Sequence, residues 1–385
     1  MTSRIEWVRD SCRLLSGISA EFARTCPFDG LTIGTGIHLE PKTVALILTL
    51  ASGGARMIST GNLSSTQAET VSYLRHRGVQ VIGEATTDGA RHAADLRQVI
   101  GEKPDLLLDN GGDLFLGYLD DAYPGLLGGT EETTSGRMRL RPLASRLGVP
   151  VLVINDSPIK QFAENRHAVG QSVLESYLRI TNRMTNGRRA VVFGYGACGK
   201  GIAAAFRSAH ALVSVIETDP VARLEACLDG FGVPAREDAL READIVITAT
   251  GAGAVVGGAD LAVLRDDVVL CNAGHFPVEI AVDELAGSPL VLRAEAAADG
   301  IRTLDLEDGR RVHLLADGHM VNLAGPRPLG NSIESMDLGF ALQARCLEAI
   351  ANGSVSAGQV VVAVPRFIDE LVARTFLEAY GTPLR

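Results

Sequence analysis

A chain of 385 residues, 46% hydrophobic and 21% charged, is long enough for more than one packed domain. Its formal net charge of −10, with no basic run, argues against a nucleic-acid or membrane-surface partner, because no excess of Lys and Arg exists to neutralise phosphates. The six cysteines include no CxxC pair, so reduced thiols in a cytoplasmic protein without a metal site are expected.

The first residues, MTSRIEWVRDSCRLL, carry Glu and Asp among apolar positions and lack the apolar core of a signal peptide. Apolar runs such as Thr43 to Ala51 fall short of a membrane span. That stretch reads as a helix ending at Gly53-Gly54, followed by a strand at 55–59, a helix from Thr66 to Arg77 stopped by Gly78, and a strand at 79–82. Leu106 to Asp109 and Val149 to Ile154 are further buried strands, running into Asn110-Gly111-Gly112-Asp113 and Asn155-Asp156. A long helical pattern from Val169 to Met184 precedes a second series of strands at 190–193, 212–216, 245–248 and 268–271. Helical pattern returns through Ser335 to Ala351. Apolar strands alternating with helices predict an α/β fold with parallel sheets covered on both faces, whose ligands bind beyond the C-terminal strand ends.

The strand at 190–193 runs into Gly194-Tyr195-Gly196-Ala197-Cys198-Gly199, with a helix following from about Lys200. A lone GxGxxG is a weak signal, but strand, loop and helix in this order form a dinucleotide site. The first glycine makes the turn and the second admits the pyrophosphate. The third packs helix on strand, and the helix N-terminus supplies N–H groups and a positive dipole end. Glu217 closes the next strand, eighteen residues beyond Gly199. Its carboxylate suits ribose hydroxyls and would repel a 2′-phosphate, so NAD is expected rather than NADP.

The remaining motifs are His38 in GIHLE, Ser65-Thr66-Gln67, the Asp109–Asp113 segment, Glu131-Glu132-Thr133-Thr134-Ser135-Gly136, and Asn155-Asp156-Ser157-Pro158-Ile159-Lys160 with Glu164-Asn165. Cys271-Asn272-Ala273-Gly274-His275-Phe276 and Val321-Asn322-Leu323 follow. In order and spacing this series resembles the S-adenosylhomocysteine hydrolase family, from about residue 30 to 380. The motifs EETTxG, NDSxxK, GYGxxGKG and CNxGHF are each weak alone and specific together. The resemblance implies a Rossmann-type NAD domain inserted in a second α/β substrate-binding domain, with a short C-terminal extension. The expected boundaries are 1–165 and 329–360 for the substrate domain, 166–328 for the NAD domain and 361–385 for the extension. A homodimer or homotetramer acting on a small nucleoside is implied as well.

The family's chemistry uses NAD without net redox. The ribose C3′ hydroxyl is oxidised, the C4′ proton becomes acidic, the C5′ substituent is eliminated, water adds, and the ketone is reduced. Residue by residue, the resemblance gives Lys160 and Glu132 the proton at C4′ and the 3′-hydroxyl; desolvation of a lysine favours its neutral form and suits it to proton transfer. Glu164 stands where the family has Asp gripping the sugar hydroxyls. His38 serves the C5′ leaving group, and His275 is the histidine of CNxGHF. Thr133, Thr134, Ser135, Asn165, Asn272 and Asn322 contact NAD, and Ala197, Cys198, Thr250, Gly251, Ala273 and Gly274 line the cofactor with the glycine loop. Taken singly, each has a plainer reading: Glu132 could cap a helix from Thr133, and Lys160 could be solvated. His76, His92, His167, His210, His313 and His319 lack comparable context and read as structural.

This chain departs from the family around the substrate. Asn110 replaces the Asp that acts with the histidine at C5′, and an amide cannot titrate. Glu40 replaces a small hydroxyl residue, and Lys42, next to Thr43, replaces a side chain that contacts the adenine amino group. Gly330-Asn331-Ser332 replaces a Gly-His-Pro segment that closes over the base. The tail, ending at Arg385, is shorter than the family's basic, tyrosine-bearing C-terminus. With the oxidation machinery kept and the C5′ and base contacts changed, the expected activity is dehydration or hydration of an adenosine-like nucleoside, as in angustmycin-type antibiotics. Ordinary S-adenosylhomocysteine cleavage and a catalytically silent NAD-binding homologue are the alternatives.

Overall fold

The computed structural model describes residues 3–381, apart from the side chains of 296–298. The chain divides into two compact units, Met1–Gln161 with Ile333–Arg385, and Phe162–Ser332. The first boundary falls four residues before the expected 165/166, and the second four residues after the expected 328/329. The cause at the first is local: Lys160–Ala168 is one continuous π-helical segment, so the chain passes from unit to unit inside a helix rather than in a loop.

The first unit is built on β1 (Thr32–Ile37), β2 (Arg56–Gly61), β3 (Gln80–Ile82), β4 (Leu106–Asp109), β5 (Gly128–Glu131) and β6 (Val151–Val153). A late strand, Val362–Ala363, joins them in the order Val362–Ala363, β6, β5, β4, β1, β2, β3, with every pairing parallel. Strands β4, β5 and β6 are buried along their whole length, as parallel strands covered on both faces must be. In β1 the glycines serve packing: a Cβ on Gly34 would lie 2.8 Å from Pro104 Cγ, and one on Gly36 3.1 Å from Leu114 Cγ. The expected extension at 361–385 is instead part of this unit. Val362 and Ala363 pair with Leu152 and Val153, and the helix Arg366–Ala379 packs on the helix Ile333–Ala351. The last residues of the tail, 382–385, lie outside the described residues.

The second unit holds β7 (Arg189–Phe193), β8 (Leu212–Ile216), β9 (Ile245–Thr248), β10 (Val268–Asn272), β11 (Val291–Ala297), β12 (Ile301–Leu306) and β13 (Arg311–Leu315). Their order is β11, β12, β13, β10, β9, β7, β8. Strands β7 to β10 and β13 are parallel, whereas β12 runs antiparallel to both its neighbours. That antiparallel pair departs from the all-parallel expectation. The links on either side of β12 are tight turns through Asp299 and Gly309, both at positive φ, and leave no room for a crossover helix. Helices Val169–Thr181 and Ala197–Ser208 approach closely through glycines: a Cβ on Gly170 would lie 2.3 Å from the Gly201 carbonyl oxygen.

Each sheet has a point where the strand order reverses. In the first unit β1 lies between β2 and β4; in the second β7 lies between β8 and β9. Crevices form outside the C-terminal ends of strands at such points, and the candidate residues gather there in both units.

Candidate active site

In the first unit His38 follows β1, Asn62 and Ser65 follow β2, Asn110 follows β4 and Glu132 follows β5. The His38 Nδ1 lies 2.6 Å from Ser65 Oγ, and the Thr43 hydroxyl donates to the His38 carbonyl oxygen at 2.5 Å. Burial pushes the His38 imidazole down to about 4, with the Lys160 ammonium adding to the shift, so the ring is neutral near pH 7. Asn110 is held at both ends of its amide. Asn62 Nδ2 donates to its Oδ1 at 2.8 Å, and its own Nδ2 donates to Glu132 Oε2 at 2.8 Å. Asn110, Glu132 and Lys160 are all buried.

Beside them Glu40 caps the helix Pro41–Ser52, and its carboxylate meets the Lys42 ammonium at 2.7 Å. Both residues are buried, an arrangement that needs this pairing to offset desolvation. Behind Asn110 and Glu132 lie two further carboxyls, Asp109 and Glu131, register partners across β4 and β5. Burial pushes Asp109 up to about 7 and Glu131 well above the ordinary carboxylate range, and Asp109 raises Glu131 further.

In the second unit the glycine loop joins β7 to the helix Ala197–Ser208. Gly194 has φ +92° and leaves only 2.6 Å between a would-be Cβ and the Ala249 carbonyl oxygen. Gly199 lies where a Cβ would come within 2.0 Å of the Gly194 carbonyl oxygen. Gly196 is different. Its φ of −71° suits any residue, and a Cβ there would meet nothing within 4 Å. Neither backbone strain nor protein packing requires that glycine, which leaves close approach by a bound group at the helix N-terminus as its reason. Asn322 gives a second sign: its Nδ2 donates to Ser172 Oγ at 2.9 Å, while its buried Oδ1 has no partner among the described residues. An unpaired buried acceptor suits the carboxamide N–H of a nicotinamide. The cradle and this acceptor fit a dinucleotide.

A family profile described as S-adenosyl-L-homocysteine hydrolase, NAD binding domain, matches residues 165–327, and one described as S-adenosyl-L-homocysteine hydrolase matches residues 4–123. Adenosylhomocysteinase of Thermotoga maritima is 39% identical over 387 residues, covering 99% of this chain and 95% of that protein. The chain belongs to the S-adenosylhomocysteine hydrolase family. Its other relatives include proteins named S-inosyl-L-homocysteine hydrolase. That of Methanothermobacter thermautotrophicus is 38% identical, covering 98% of this chain and 91% of that protein, and that of Methanopyrus kandleri is 38% identical, covering 99% and 90%. NAD is the cofactor of the second unit. Among the described residues no cluster fit for a metal ion is present, and no helix is long and apolar enough to cross a membrane.

Against the family's pattern, several residues take positions their motifs do not reveal. The Glu217 carboxylate accepts from the backbone N–H groups of Tyr195, Thr218 and Asp219, closing on its own loop. Asn272 is occupied within the protein: it accepts from Thr248 Oγ1 and Gly274 N and donates to the carbonyl oxygens of Gly318 and Phe276. Ala273 N donates to the Thr248 carbonyl, and His275 stands edge-on to Phe276. The Thr133 hydroxyl caps the helix Thr134–Leu140 and touches Ser135 Oγ, and Thr134 is exposed. Cys198 is half-buried in the first turn of the glycine-loop helix. Glu164 and Asn165 lie buried in the π-helical segment. Asn331, expected over the base, accepts from Ser172 Oγ at 3.0 Å and neighbours Asn322 within the second unit.

Sequence reasoning did not single out Asn62, Glu131 or Glu279. Glu279 is buried and accepts from Thr250 N, Thr250 Oγ1 and Gly251 N at 2.7–2.8 Å, fixing the loop after β9. A Cβ on Gly274 would lie 1.7 Å from its carboxylate, so the glycine of CNxGHF is a signal for Glu279 as much as for the cofactor.

Proposed function

We propose that this enzyme acts at C5′ of a purine nucleoside with elimination favoured over addition of water, so that a 4′,5′-unsaturated nucleoside is a major product. Asn110 carries this reading. Its amide, held between Asn62 and Glu132, can neither protonate a leaving group nor deprotonate water. His38 is neutral near pH 7 and, with its affinity for protons lowered by burial, is a weak base.

Bound NAD supplies hydride acceptance at the C3′ hydroxyl and its return, leaving no net redox change. Gly194, Gly196, Ala197, Cys198 and Gly199 would hold its pyrophosphate, and Asn322 its nicotinamide end. Lys160 and Glu132 bind the 3′-oxygen and move the C4′ proton. Elimination then expels the C5′ group without help from an acid at residue 110. A thiolate leaves well unprotonated, whereas hydroxide does not, so a thioether of homocysteine is the better substrate for these groups. Loss of water from a 5′-hydroxyl reaches the same unsaturated sugar but needs a proton for the departing hydroxide, which neither Asn110 nor a neutral His38 supplies. Lys42 presents N–H donors where an amino-bearing base needs an acceptor. That favours a base with a carbonyl there, in keeping with the inosyl substrate named for two relatives.

A second reading is ordinary hydrolysis to nucleoside and homocysteine, supported by 39% identity across nearly the whole of an adenosylhomocysteinase. One experiment separates the two. The purified protein is incubated with S-adenosylhomocysteine, S-inosylhomocysteine, adenosine and inosine, and the products are resolved by mass. Unsaturated nucleoside in excess of saturated nucleoside supports elimination. Saturated nucleoside and homocysteine in equal amounts would establish ordinary hydrolysis. Consumption of a free nucleoside with loss of water would establish dehydration. If no nucleoside or thioether reduces bound NAD, the silent homologue is the better description.

A further inference from the structure

We infer that Glu131 is a positioning residue that sets the relation between Asn110 and Glu132 by tying together the two loops that carry them. One carboxyl oxygen, Oε1, accepts from Gly111 N at 3.1 Å, Thr133 N at 2.6 Å and Thr133 Oγ1 at 2.7 Å. Gly111 follows Asn110 and Thr133 follows Glu132, so a single atom fixes the backbone on both sides of the Asn110–Glu132 hydrogen bond. The link is completed by Glu132 N, which donates to the Asp109 carbonyl at 3.0 Å.

The carboxyl has a site prepared for it. A Cβ on Gly136 would lie 2.2 Å from Glu131 Cδ and 2.3–2.5 Å from both carboxyl oxygens, so the glycine of EETTxG is the space Glu131 occupies. Glu131 is fully buried, and its second oxygen, Oε2, has no hydrogen-bond partner among the described residues. The groups around it are Asp109 on β4, Glu132 beside it in sequence, and Asp113 with Arg139. The Arg139 guanidinium is turned to Asp113 and to the Gly111 carbonyl oxygen. A naked carboxylate oxygen next to Asp109 would be a costly buried charge. Glu131 therefore acts as a neutral acid, in line with a proton affinity raised by burial and by Asp109. It holds the loops through hydrogen bonds rather than by charge.

The inference rests on reading Asn110 and Glu132 as substrate-facing groups, and its test has one arm that needs no substrate. The NAD-loaded protein is compared with Glu131→Gln, Glu131→Ala and Gly136→Ala. The readouts are amide hydrogen exchange of the segments 109–113 and 132–136, bound NAD, and the rate at which nucleoside reduces it. Glu131→Gln, the neutral isostere, is expected to keep wild-type exchange and a rate within about threefold, because it preserves the accepting oxygen. Glu131→Ala and Gly136→Ala are expected to speed exchange in both segments together. They should slow reduction about 100-fold per bound NAD, as misplaced reacting groups do. Wild-type rate should fall on the alkaline side as Glu131 ionises, and Glu131→Gln should lack that limb. Equal damage from Gln and Ala would overturn the neutral-acid role. Unchanged exchange in Glu131→Ala would overturn the tie itself, whatever the substrate proves to be. If the wild type shows no reduction by any nucleoside, the proposed function fails, and the exchange data still decide the role of Glu131.

Discussion

The two strand-order reversals solve different problems with different materials. After β7 the chain presents backbone: glycines shaped by steric limits, a helix N-terminus, and an open position at Gly196. After β1, β4 and β5 it presents side chains: His38, Asn110, Glu132 and, behind them, Asp109 and Glu131. A backbone cradle tolerates little change where a glycine answers a distance, as Gly194 and Gly199 do. A side-chain site can be rebuilt by single substitutions, and the resemblance reads Asn110 and Lys42 as two of them.

The largest test of this contrast is in the cradle itself. Gly199→Ala puts a methyl 2.0 Å from the Gly194 carbonyl oxygen, and overpacking of this kind costs about 1–3 kcal/mol or more. Thermal melting should drop and NAD should be lost together. Gly196→Ala meets nothing in the protein, so melting without cofactor should match the wild type while NAD binding falls. Loss of stability in Gly196→Ala would break the assignment of that glycine to the ligand.

Next comes Lys160→Ala, expected to lower turnover by roughly 10²–10⁴-fold, the range of a lost acid–base group, with NAD still bound. Surviving turnover would remove Lys160 from the C4′ proton. Asn110→Asp is expected to have a milder effect, raising the proportion of saturated nucleoside among the products by restoring a titrating group. No change in that ratio would detach Asn110 from the proposed bias.

The smallest effect is on stability. His38 has a folded value of about 4 against an ordinary 6.5, so the unfolded chain takes up its proton first as pH falls. Stability from this group is present above about 6.5 and lost as pH drops toward 4. Asp109, raised to about 7 from 3.8, acts oppositely, losing stability as pH rises from about 4 to 7. In denaturant titrations, His38→Gln should reduce the loss between pH 7 and pH 5 by on the order of 1 kcal/mol. An unchanged pH profile would show that His38 is not buried as described.

How much could be read from residues alone follows the same contrast. The glycine loop, β8, β9 and the helix after β7 were legible because turn and period signals agree there. Strand β1 was not singled out: the glycines at 34 and 36 interrupt its apolar pattern, yet a side chain at either would meet Pro104 or Leu114. The last strand, Val362–Ala363, is too short to show a period and exists only because β6 offers an edge. At the candidate site, motif residues could be named but their bonds could not. Nothing local says that Asn62 reaches Asn110, or that Glu131, adjacent to a catalytic candidate, turns beneath it into the space of Gly136.

The π-helical run Lys160–Ala168 carries Lys160, Glu164 and Asn165 on wide turns, where i to i+5 bonding brings residues four and five apart onto one side. Such a run holds more residues per turn than an α-helix, and each residue of an α-helix advances about 100° around the axis. Removing one residue between Lys160 and Glu164 and letting the segment relax to α-helical winding would put Glu164 and Asn165 three and four places after Lys160, still on one side of the helix. This stretch can therefore lose one residue and keep the facing of these three side chains, whereas an added residue turns Asn165 away.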